Sequence, residues 1–154
     1  MSEIRLQHSE LPFFMSTNYA DFDMDRVFQW LSHEAYWSKG IPRTTLERSF
    51  ENSLAFGLFH ESEGQVGVAR MVTDKAVFAY LADVFIAKNY RGFGLGQWLM
   101  EVILQHPDLQ GLRRMLLATS DMHALYRKFG FSDAHGSKLL MEIVRPDIYQ
   151  KSEA

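Results

Sequence analysis

The feature that most constrains the fold is an almost wholly apolar run over residues 77–86. Its one charged residue is Asp83. The run is far shorter than the ~20 residues that a membrane span needs. Its β-branched and aromatic side chains favour a strand buried on both faces. The sequence therefore predicts a buried strand with one carboxylate inside it.

Patterns on both sides of this run predict a mixed α/β domain. Upstream, we expect two helices first and then an antiparallel hairpin. Asp23 or Asp25 is expected to cap the first helix, and the spacing of Thr44 and Glu47 is typical of a capping box for the second. The predicted upstream elements are a helix with apolar positions at 24–31, a helix from 44 to 52, and strands over 54–59 and 66–72.

Downstream of the buried strand, helices and strands alternate. Apolar residues recur at helical spacing until Pro107 stops the pattern. The predicted elements are a helix over 95–106, a strand over 113–118, a helix over 121–129 and a last strand over 139–144. Because no repeat or linker-like stretch interrupts this order, we expect a single domain over residues 1–154.

Composition excludes several kinds of chemistry. The chain has no cysteine, which rules out a disulfide scaffold, a thiolate nucleophile and cysteine-ligated metals. Its six histidines show no metal-binding spacing, so we expect no metal. The formal charge of -3 argues against a nucleic-acid partner. With no apolar segment of membrane or signal-peptide type, we expect a cytoplasmic protein without a membrane partner.

A glycine-rich loop, Tyr-Arg-Gly-Phe-Gly-Leu-Gly over residues 90–96, joins the buried strand to the long helix. Glycines let a ligand approach the backbone, and the unpaired amides and dipole of a helix start favour phosphate. A nucleotide P-loop is excluded because Gln97 and Trp98 follow Gly96. Gln97 also stands where a dinucleotide fingerprint requires its third glycine. The loop therefore predicts a different kind of anion cradle.

Two motifs resemble those of one family. Arg91, Gly94 and Gly96 match the Arg-x-x-Gly-x-Gly signature of the GNAT superfamily of acetyl-CoA-dependent N-acetyltransferases. Leu-Tyr-Arg-Lys-Phe-Gly-Phe over residues 125–131 is similar to that family's Leu-Tyr-x-x-x-Gly-Phe signature. The order of predicted elements agrees with that family as well.

The resemblance implies a GNAT-like sheet, mixed but mostly antiparallel and flanked by helices. Two splayed strands, ending near Ile86 and Ala118, would hold acetyl-CoA between them. In the family, loop amides grip the pyrophosphate and a strand N–H polarises the thioester carbonyl. Matched onto this chain, the acetyl-CoA residues are Val84, Phe85, Ile86, Arg91, Gly92, Phe93, Gly94, Leu95 and Gly96.

Many members of the family carry an asparagine seven residues before the tyrosine, where this chain has Thr119 followed by Ser120, and a hydroxyl here would contact the CoA arm. Either hydroxyl could make that contact. The alternative interpretation, which we favour, is a helix cap at Ser120 or Asp121.

Acetyl transfer from a thioester needs a proton for the departing thiolate. Tyrosine, with an ordinary pKa of about 10, stays protonated at neutral pH and can supply it. Tyr126 lies in the second motif, so both the chemistry and the resemblance make it the candidate general acid. Without cysteine or a Gly-x-Ser-x-Gly motif, we expect direct transfer without a covalent enzyme intermediate.

The attacking amine must lose a proton, and Asp83 is the candidate acceptor. A carboxylate inside a buried strand is costly unless it is paired or functional. The alternative is an ion pair with Arg70 or Arg113 across the sheet. A bulge in the strand would change which side chains face the cleft, so alternation does not decide between the two.

The acceptor is expected to contact the connection between the first two helices. Tyr36, Trp37 and Arg43 cluster there beside Trp30, and aromatic rings of this kind stack on or cage cationic or planar groups. For Trp30, packing of the helices on the sheet is an equal interpretation.

We therefore expect an N-acetyltransferase that moves an acetyl group from acetyl-CoA to a primary amine of a small molecule. The alternatives are a protein or peptide acetyltransferase, acting on lysines or N-termini, and a non-catalytic acyl-CoA-binding module. The apolar last strand also suggests a homodimer paired across a two-fold axis. Neither the acceptor nor the use of other acyl groups follows from the sequence.

Overall fold

The apolar run that contains Asp83 forms β5 (Phe78–Ile86), which lies between two other strands of a six-stranded sheet. The structure is a computed structural model that describes residues 3–134 and 138–150. The sheet follows chain order, with antiparallel neighbours except for the parallel pair β5 and β6. Its other strands are β1 (Arg5–Gln7), β2 (Phe13–Ser16), β3 (Leu54–His60), β4 (Gly64–Thr73) and β6 (Arg114–Leu117). The expected mixed, mostly antiparallel sheet is confirmed.

Helices cover both faces of this sheet. The described α-helices are α1 (Met24–Phe28), α2 (Arg43–Glu51), α3 (Leu95–Gln105) and α4 (His123–Arg127). α1 continues as a π-helical turn, Gln29–Glu34, and short 3-10 turns include Tyr36–Ser38 and Lys88–Tyr90. No helix in the described part of the chain is long and apolar enough to cross a membrane.

Side chains of the central strands pack into two separate hydrophobic cores, one on each face of the sheet. Phe56, Leu58 and Leu81 pack with α3 and α4 on one face. Ala55, Phe59, Val68 and Phe85 pack with α1, the π-helical turn and α2 on the other. Burial on both faces explains why the run over β5 carries so little charge.

The predicted start of the fold was wrong, because two strands precede the first helix. β1 has three residues and β2 has four, too few to show a clear period of two. Phe13 and Met15 of β2 are nevertheless buried and belong to the first core. Tertiary pairing with β3 stabilises this segment.

The predicted last strand was also wrong. Residues 139–144 form no strand, and the apolar side chains there lie exposed, with Met141 96% and Ile143 86% accessible. Within the described ranges no strand pairs with the outer edge of β6. A strand needs a partner edge to satisfy its backbone, and in the described ranges this segment pairs with no strand.

Helix boundaries follow the capping rules only in part. Asp23 caps α1 as predicted, accepting from Arg26 N–H. The capping box predicted at Thr44 was wrong, because α2 begins at Arg43 after Pro42 and Glu47 pairs with Arg43 instead. α4 is shorter than the predicted helix over 121–129.

Candidate active site

β5 and β6 pair along only part of their length. The parallel pairing runs from Phe78 opposite Arg114 to Leu81 opposite Leu117. β5 continues to Ile86, still paired with β4 on its other edge. Beyond Leu81 the edge that faced β6 is therefore open, with backbone groups free to meet a ligand. We call this opening the fork, between residues 82–86 of β5 and residues 118–120 after β6.

Asp83 lies on the β5 arm of the fork in an unusual backbone conformation. Its φ is +57°, in the left-handed region, which costs a non-glycine residue on the order of 1–3 kcal/mol. The pairing of β4 and β5 shifts register at the same point, between Val68 and Arg70. This irregularity is the bulge that the sequence analysis allowed for.

Both oxygens of the Asp83 carboxylate accept hydrogen bonds. Arg70 Nε donates to Oδ2 at 2.8 Å, and Trp37 Nε1 donates to Oδ1 at 2.9 Å. The Arg70 ion pair weighed in the sequence analysis is thus present, and within the described residues no contact joins Asp83 to Arg113. Arg70 also donates from Nη1 to Ser53 Oγ at 3.1 Å. Ser53 is not predictable from the sequence, because no motif marks it.

The glycine-rich loop presents the start of α3 at the end of the fork. Gly92 and Gly94 have φ of +90° and +79°, and Gly94 is the N-cap of α3 without a side-chain hydrogen bond. The first backbone bond of the helix runs from Trp98 N to Gly94 O. In the described part of the chain, the three amides of residues 95–97 therefore have no acceptor.

Gly96 is a glycine that the protein itself does not require. It lies inside α3 and does not have a positive φ. A Cβ at this position would meet no atom of the described residues within 4 Å. The space beside Gly96, next to the free amides in sequence, is therefore open. Together these features fit a phosphate group bound to the backbone at the start of α3.

Arg91 and Phe85 fix the other side of the loop. Arg91 Nε donates to Ile86 O at 2.7 Å, and the Arg91 guanidinium carbon lies 5.2 Å from the centre of the Phe85 ring. Phe85 is buried and stacks on Trp30 with ring centres 5.5 Å apart. Of the two interpretations of Trp30, the structure supports packing on the sheet. In the loop, Phe93 is exposed and Leu95 is buried.

Tyr126 of α4 is buried with its ring edge-to-face against Phe131, centres 6.0 Å apart. Burial raises the pKa of the Tyr126 hydroxyl above its ordinary value of 10.0, and the negative charge of Asp121 raises it further. Among the described residues, no group hydrogen-bonds this hydroxyl. The hydroxyl is therefore protonated at neutral pH and has a free donor.

Tyr36 and Trp37 lie beside the fork, whereas Arg43 does not join them. The Tyr36 hydroxyl lies 2.8 Å from Ser120 Oγ, and Trp37 contacts Asp83. Arg43 pairs with Asp25 and Glu47 on the helical face. No sequence signal marks the Tyr36 contact, because its two residues are 84 positions apart.

Thr119 and Ser120 do not cap α4. The helix N-cap is Met122, so the predicted cap at Ser120 or Asp121 was wrong. Thr119 Oγ1 instead accepts from Met122 N at 3.0 Å and forms a turn before the helix. The Ser120 hydroxyl is thereby left to contact Tyr36.

A groove of about 840 Å³ runs along the outer edge of β6. Residues 113–118, the residues after α4 and Tyr126 line it. None of its lining residues belongs to the β5 arm of the fork or to the glycine-rich loop. The groove shares Ala118 and Thr119 with the β6 arm of the fork, and it lies beside the edge of β6 with which no described strand pairs. In the described part of the chain, no group of three or more His, Cys, Asp or Glu side chains could hold a metal ion.

Comparisons with known proteins agree on one family. The model of the acetyltransferase (GNAT) family matches residues 24–131. A curated Gibberella zeae protein that carries an acetyltransferase name is 31% identical over 143 residues, which cover 79% of this chain and 80% of that protein.

Solved structures agree as well. The crystal structure of a Xanthomonas campestris protein assigned to the GNAT family is 40% identical, with a TM-score of 0.88 over 95% of this chain and 99% of that one. An Elizabethkingia anophelis GNAT acetyltransferase solved with acetyl-CoA bound is 11% identical, with a TM-score of 0.60 over 80% and 78% of the chains. The latter shares the fold.

Proposed function

Because the chain belongs to the GNAT family of acetyltransferases, we propose that it transfers an acetyl group directly from acetyl-CoA to the nitrogen of a primary amine, carried by a small molecule. The observation that carries this proposal is the fork with free amides at the start of α3. At Gly96, nothing inside the protein explains the glycine, whereas a phosphate against the backbone does.

Acetyl-CoA supplies the activated thioester, and the protein supplies the groups that bind acetyl-CoA. The amides of residues 95–97 are proposed to hold the pyrophosphate, with Arg91 beside them. The open edge of Val84, Phe85 and Ile86 is proposed to donate an N–H to the thioester carbonyl oxygen. Binding energy on the long CoA tail then positions the acetyl group in the fork.

Proton transfer is assigned to two side chains. Tyr126 donates its proton to the sulfur as the carbon–sulfur bond breaks and the carbon–nitrogen bond forms. Asp83 accepts the proton that the amine nitrogen loses. A carboxylate offers about four lone-pair sites, so the bonds from Arg70 and Trp37 leave Asp83 acceptor capacity.

The first test is thermal unfolding with acetyl-CoA, NADH or ATP added separately. A ligand that binds only the folded state stabilises it by about 2.7 kcal/mol at 100 times its Kd. We expect the midpoint to rise with acetyl-CoA alone. Release of free CoA thiol, followed over a panel of amines, then identifies the acceptor class.

The outcomes separate this proposal from its alternatives. A rise without thiol release from any amine or peptide would indicate an acyl-CoA-binding module. Release with peptides alone would indicate a protein or peptide acetyltransferase. An equal rise with NADH or ATP would overturn the assignment of the glycine-rich loop to acetyl-CoA.

A homodimer and a cytoplasmic location belong to the same proposal. Residues 139–144 expose five apolar side chains, and among the described residues no strand pairs with the outer edge of β6, which has a groove beside it. Exposed apolar runs of this kind are typical of interaction surfaces. We propose that each chain places this segment along β6 of a second copy. Light scattering should give the mass of two chains, and charged substitutions at Met141 and Ile143 should reduce it to one.

A further inference from the structure

The bulge at Asp83 changes which side chains of β5 face which core. Before it, Ala79 and Leu81 lie in the core beside α3 and α4. After it, Phe85 lies in the core beside α1 and α2, although strict alternation would place it on the same face as Leu81. Between the paired residues Ala82 and Phe85, β5 has two residues where β4 has one. Because this extra residue lets both cores be filled, the packing of the sheet requires the bulge.

Packing explains the bulge but not the aspartate in it. Glycine adopts a positive φ without strain, whereas Asp83 holds a φ of +57° at a cost. The Asp83 side chain is also only 9% exposed, and a carboxylate so deeply buried is unfavourable unless an opposite charge lies beside it. A residue that carries both costs is expected to use its carboxylate, which agrees with the proposed role of Asp83 as proton acceptor.

Arg70 supplies the opposite charge from the neighbouring strand. It lies on β4 opposite Ala82, and its Nε donates to Asp83 Oδ2 at 2.8 Å. The second donor to the carboxylate, Trp37 Nε1, carries no charge. In the described part of the chain, Asp83 makes no other ion pair. Arg70 is therefore the group that balances the charge of the buried carboxylate.

Arg70 is itself held by the end of α2. Its Nη1 donates to Ser53 Oγ at 3.1 Å, and the Ser53 hydroxyl donates in turn to Ser49 O of α2 at 2.7 Å. The Arg70 guanidinium carbon also lies 5.8 Å from the ring centre of the buried Phe50. Because the donors of a guanidinium stand in a fixed, planar arrangement, the bond to Ser53 sets the direction of the bond to Asp83.

We propose that Arg70 is a positioning residue for acetyl transfer. It holds the Asp83 carboxylate in one place and balances its charge, so that a carboxylate oxygen accepts the proton of the amine nitrogen as the carbon–nitrogen bond forms. Ser53 acts one bond further back, by fixing Arg70. This inference rests on the proposed acetyl transfer with Asp83 as its proton acceptor. Because Arg70 acts through Asp83, its loss should lower kcat without weakening the binding of acetyl-CoA.

The test is a double-mutant cycle of Arg70→Met and Asp83→Asn. It is read by kcat for release of CoA thiol with n-butylamine, or with whichever amine of the panel reacts faster. We expect kcat to fall on the order of 100-fold in Asp83→Asn and about tenfold in Arg70→Met. Adding Arg70→Met to Asp83→Asn should lower kcat no further. The Kd for acetyl-CoA, measured by calorimetry, should be unchanged in all three variants.

Two further variants separate this role from folding. Arg70→Met leaves a buried carboxylate without its opposite charge and should lower the unfolding midpoint, whereas the double variant has neither charge and should recover it. Ser53→Ala keeps both charges and removes one hydrogen bond. It should lower kcat about fivefold in the wild-type background and not at all in Asp83→Asn. Arg48→Met, at an exposed arginine of α2, is the control and should keep the wild-type kcat.

Several results would overturn the role of Arg70. In one, Arg70→Met and Ser53→Ala leave kcat unchanged. In another, each lowers kcat by the same factor with and without the Asp83 carboxylate, as a purely structural role requires. A wild-type kcat in Asp83→Asn would exclude Asp83 as the proton acceptor and Arg70 with it. In all three cases thiol release by the wild type would still support acetyl transfer. If no amine releases CoA thiol while acetyl-CoA still raises the unfolding midpoint, the transfer proposal fails and the role of Arg70 fails with it.

Discussion

The two halves of β5 have nearly the same composition and different surroundings. From Phe78 to Leu81 the strand is paired on both edges, and Ala79 and Leu81 are buried in the core. From Ala82 to Ile86 it is paired on one edge and carries Asp83 at a bulge. The difference shows that the candidate site arises where pairing with β6 stops. Substitutions in the first half should therefore change stability, and those around the second should change acetyl transfer.

The largest effect is expected from Leu81→Ala in the paired half. Leu81 is 3% exposed, and truncating a buried leucine costs about 2–5 kcal/mol of unfolding free energy. Urea denaturation measures the loss. The matched control is Val84→Ala in the open half, where the side chain is half-buried and the loss should be smaller. An equal loss at both positions would remove the distinction between the halves.

Tyr126→Phe should lower acetyl transfer, the activity assigned to the open half of β5. It removes the proposed proton donor but keeps the ring packed on Phe131, so kcat should fall on the order of 100-fold. The Kd for acetyl-CoA, measured by calorimetry, should not change. Tyr80→Phe serves as the control and should leave kcat unaltered. Wild-type kcat in Tyr126→Phe would exclude Tyr126 as the general acid.

Gly96→Ala should separate ligand binding from stability. The added methyl group meets no protein atom, and alanine favours a helix by up to about 1 kcal/mol over glycine. Without ligand, the free energy of unfolding should therefore stay constant or rise. The affinity for acetyl-CoA should fall about tenfold, equivalent to about 1.4 kcal/mol. Glu101→Ala, on the exposed side of the same helix, should do neither, and an unchanged affinity in Gly96→Ala would refute the proposed cradle.

The smallest expected effect is a loss of folding stability at acid pH. His106 follows α3, is buried, and accepts a hydrogen bond from Asp108 N at Nδ1. Burial lowers the pKa of His106 below its ordinary 6.5. The unfolded chain therefore takes up a proton first as the pH falls below 6.5, and stability declines by up to about 1.4 kcal/mol per pH unit until the folded state is protonated too.

His106→Gln keeps a polar side chain but removes this titration. Denaturation curves between pH 7 and pH 5 should show a smaller decline in the variant than in the wild type. A decline of the same size in both would assign the acid sensitivity to other groups.

Long periodic patterns and motifs were predictable from the sequence. The spacing of apolar residues located α3, and the run around Asp83 located β5, because each pattern spans several repeats. β1 and β2 were missed because strands of three and four residues show almost no period. The segment over 139–144 has a strand pattern, yet pairing depends on an edge that composition does not reveal.

The candidate site also has features that were predictable from the sequence and features that were not. Glycines and the tyrosine motif marked the residues beside the fork, since backbone approach and proton donation need those residue types. The contacts of Tyr36 with Ser120 and of Arg70 with Asp83 depend on tertiary placement, and no local spacing encodes them. Arg43 is near the aromatic residues in the sequence but not at the fork, because it forms ion pairs with Asp25 and Glu47.

The parallel pairing of β5 with β6 also sets an order of folding. The strands from β3 to β5 are joined by short turns, whereas Phe78 pairs with Arg114 across the whole of α3. Closing such a loop is slower than closing a hairpin. In a refolding experiment, the circular dichroism of the antiparallel meander should recover before acetyl-CoA binding does. The binding site is then the last part of the domain to form and the first that a partly folded chain lacks.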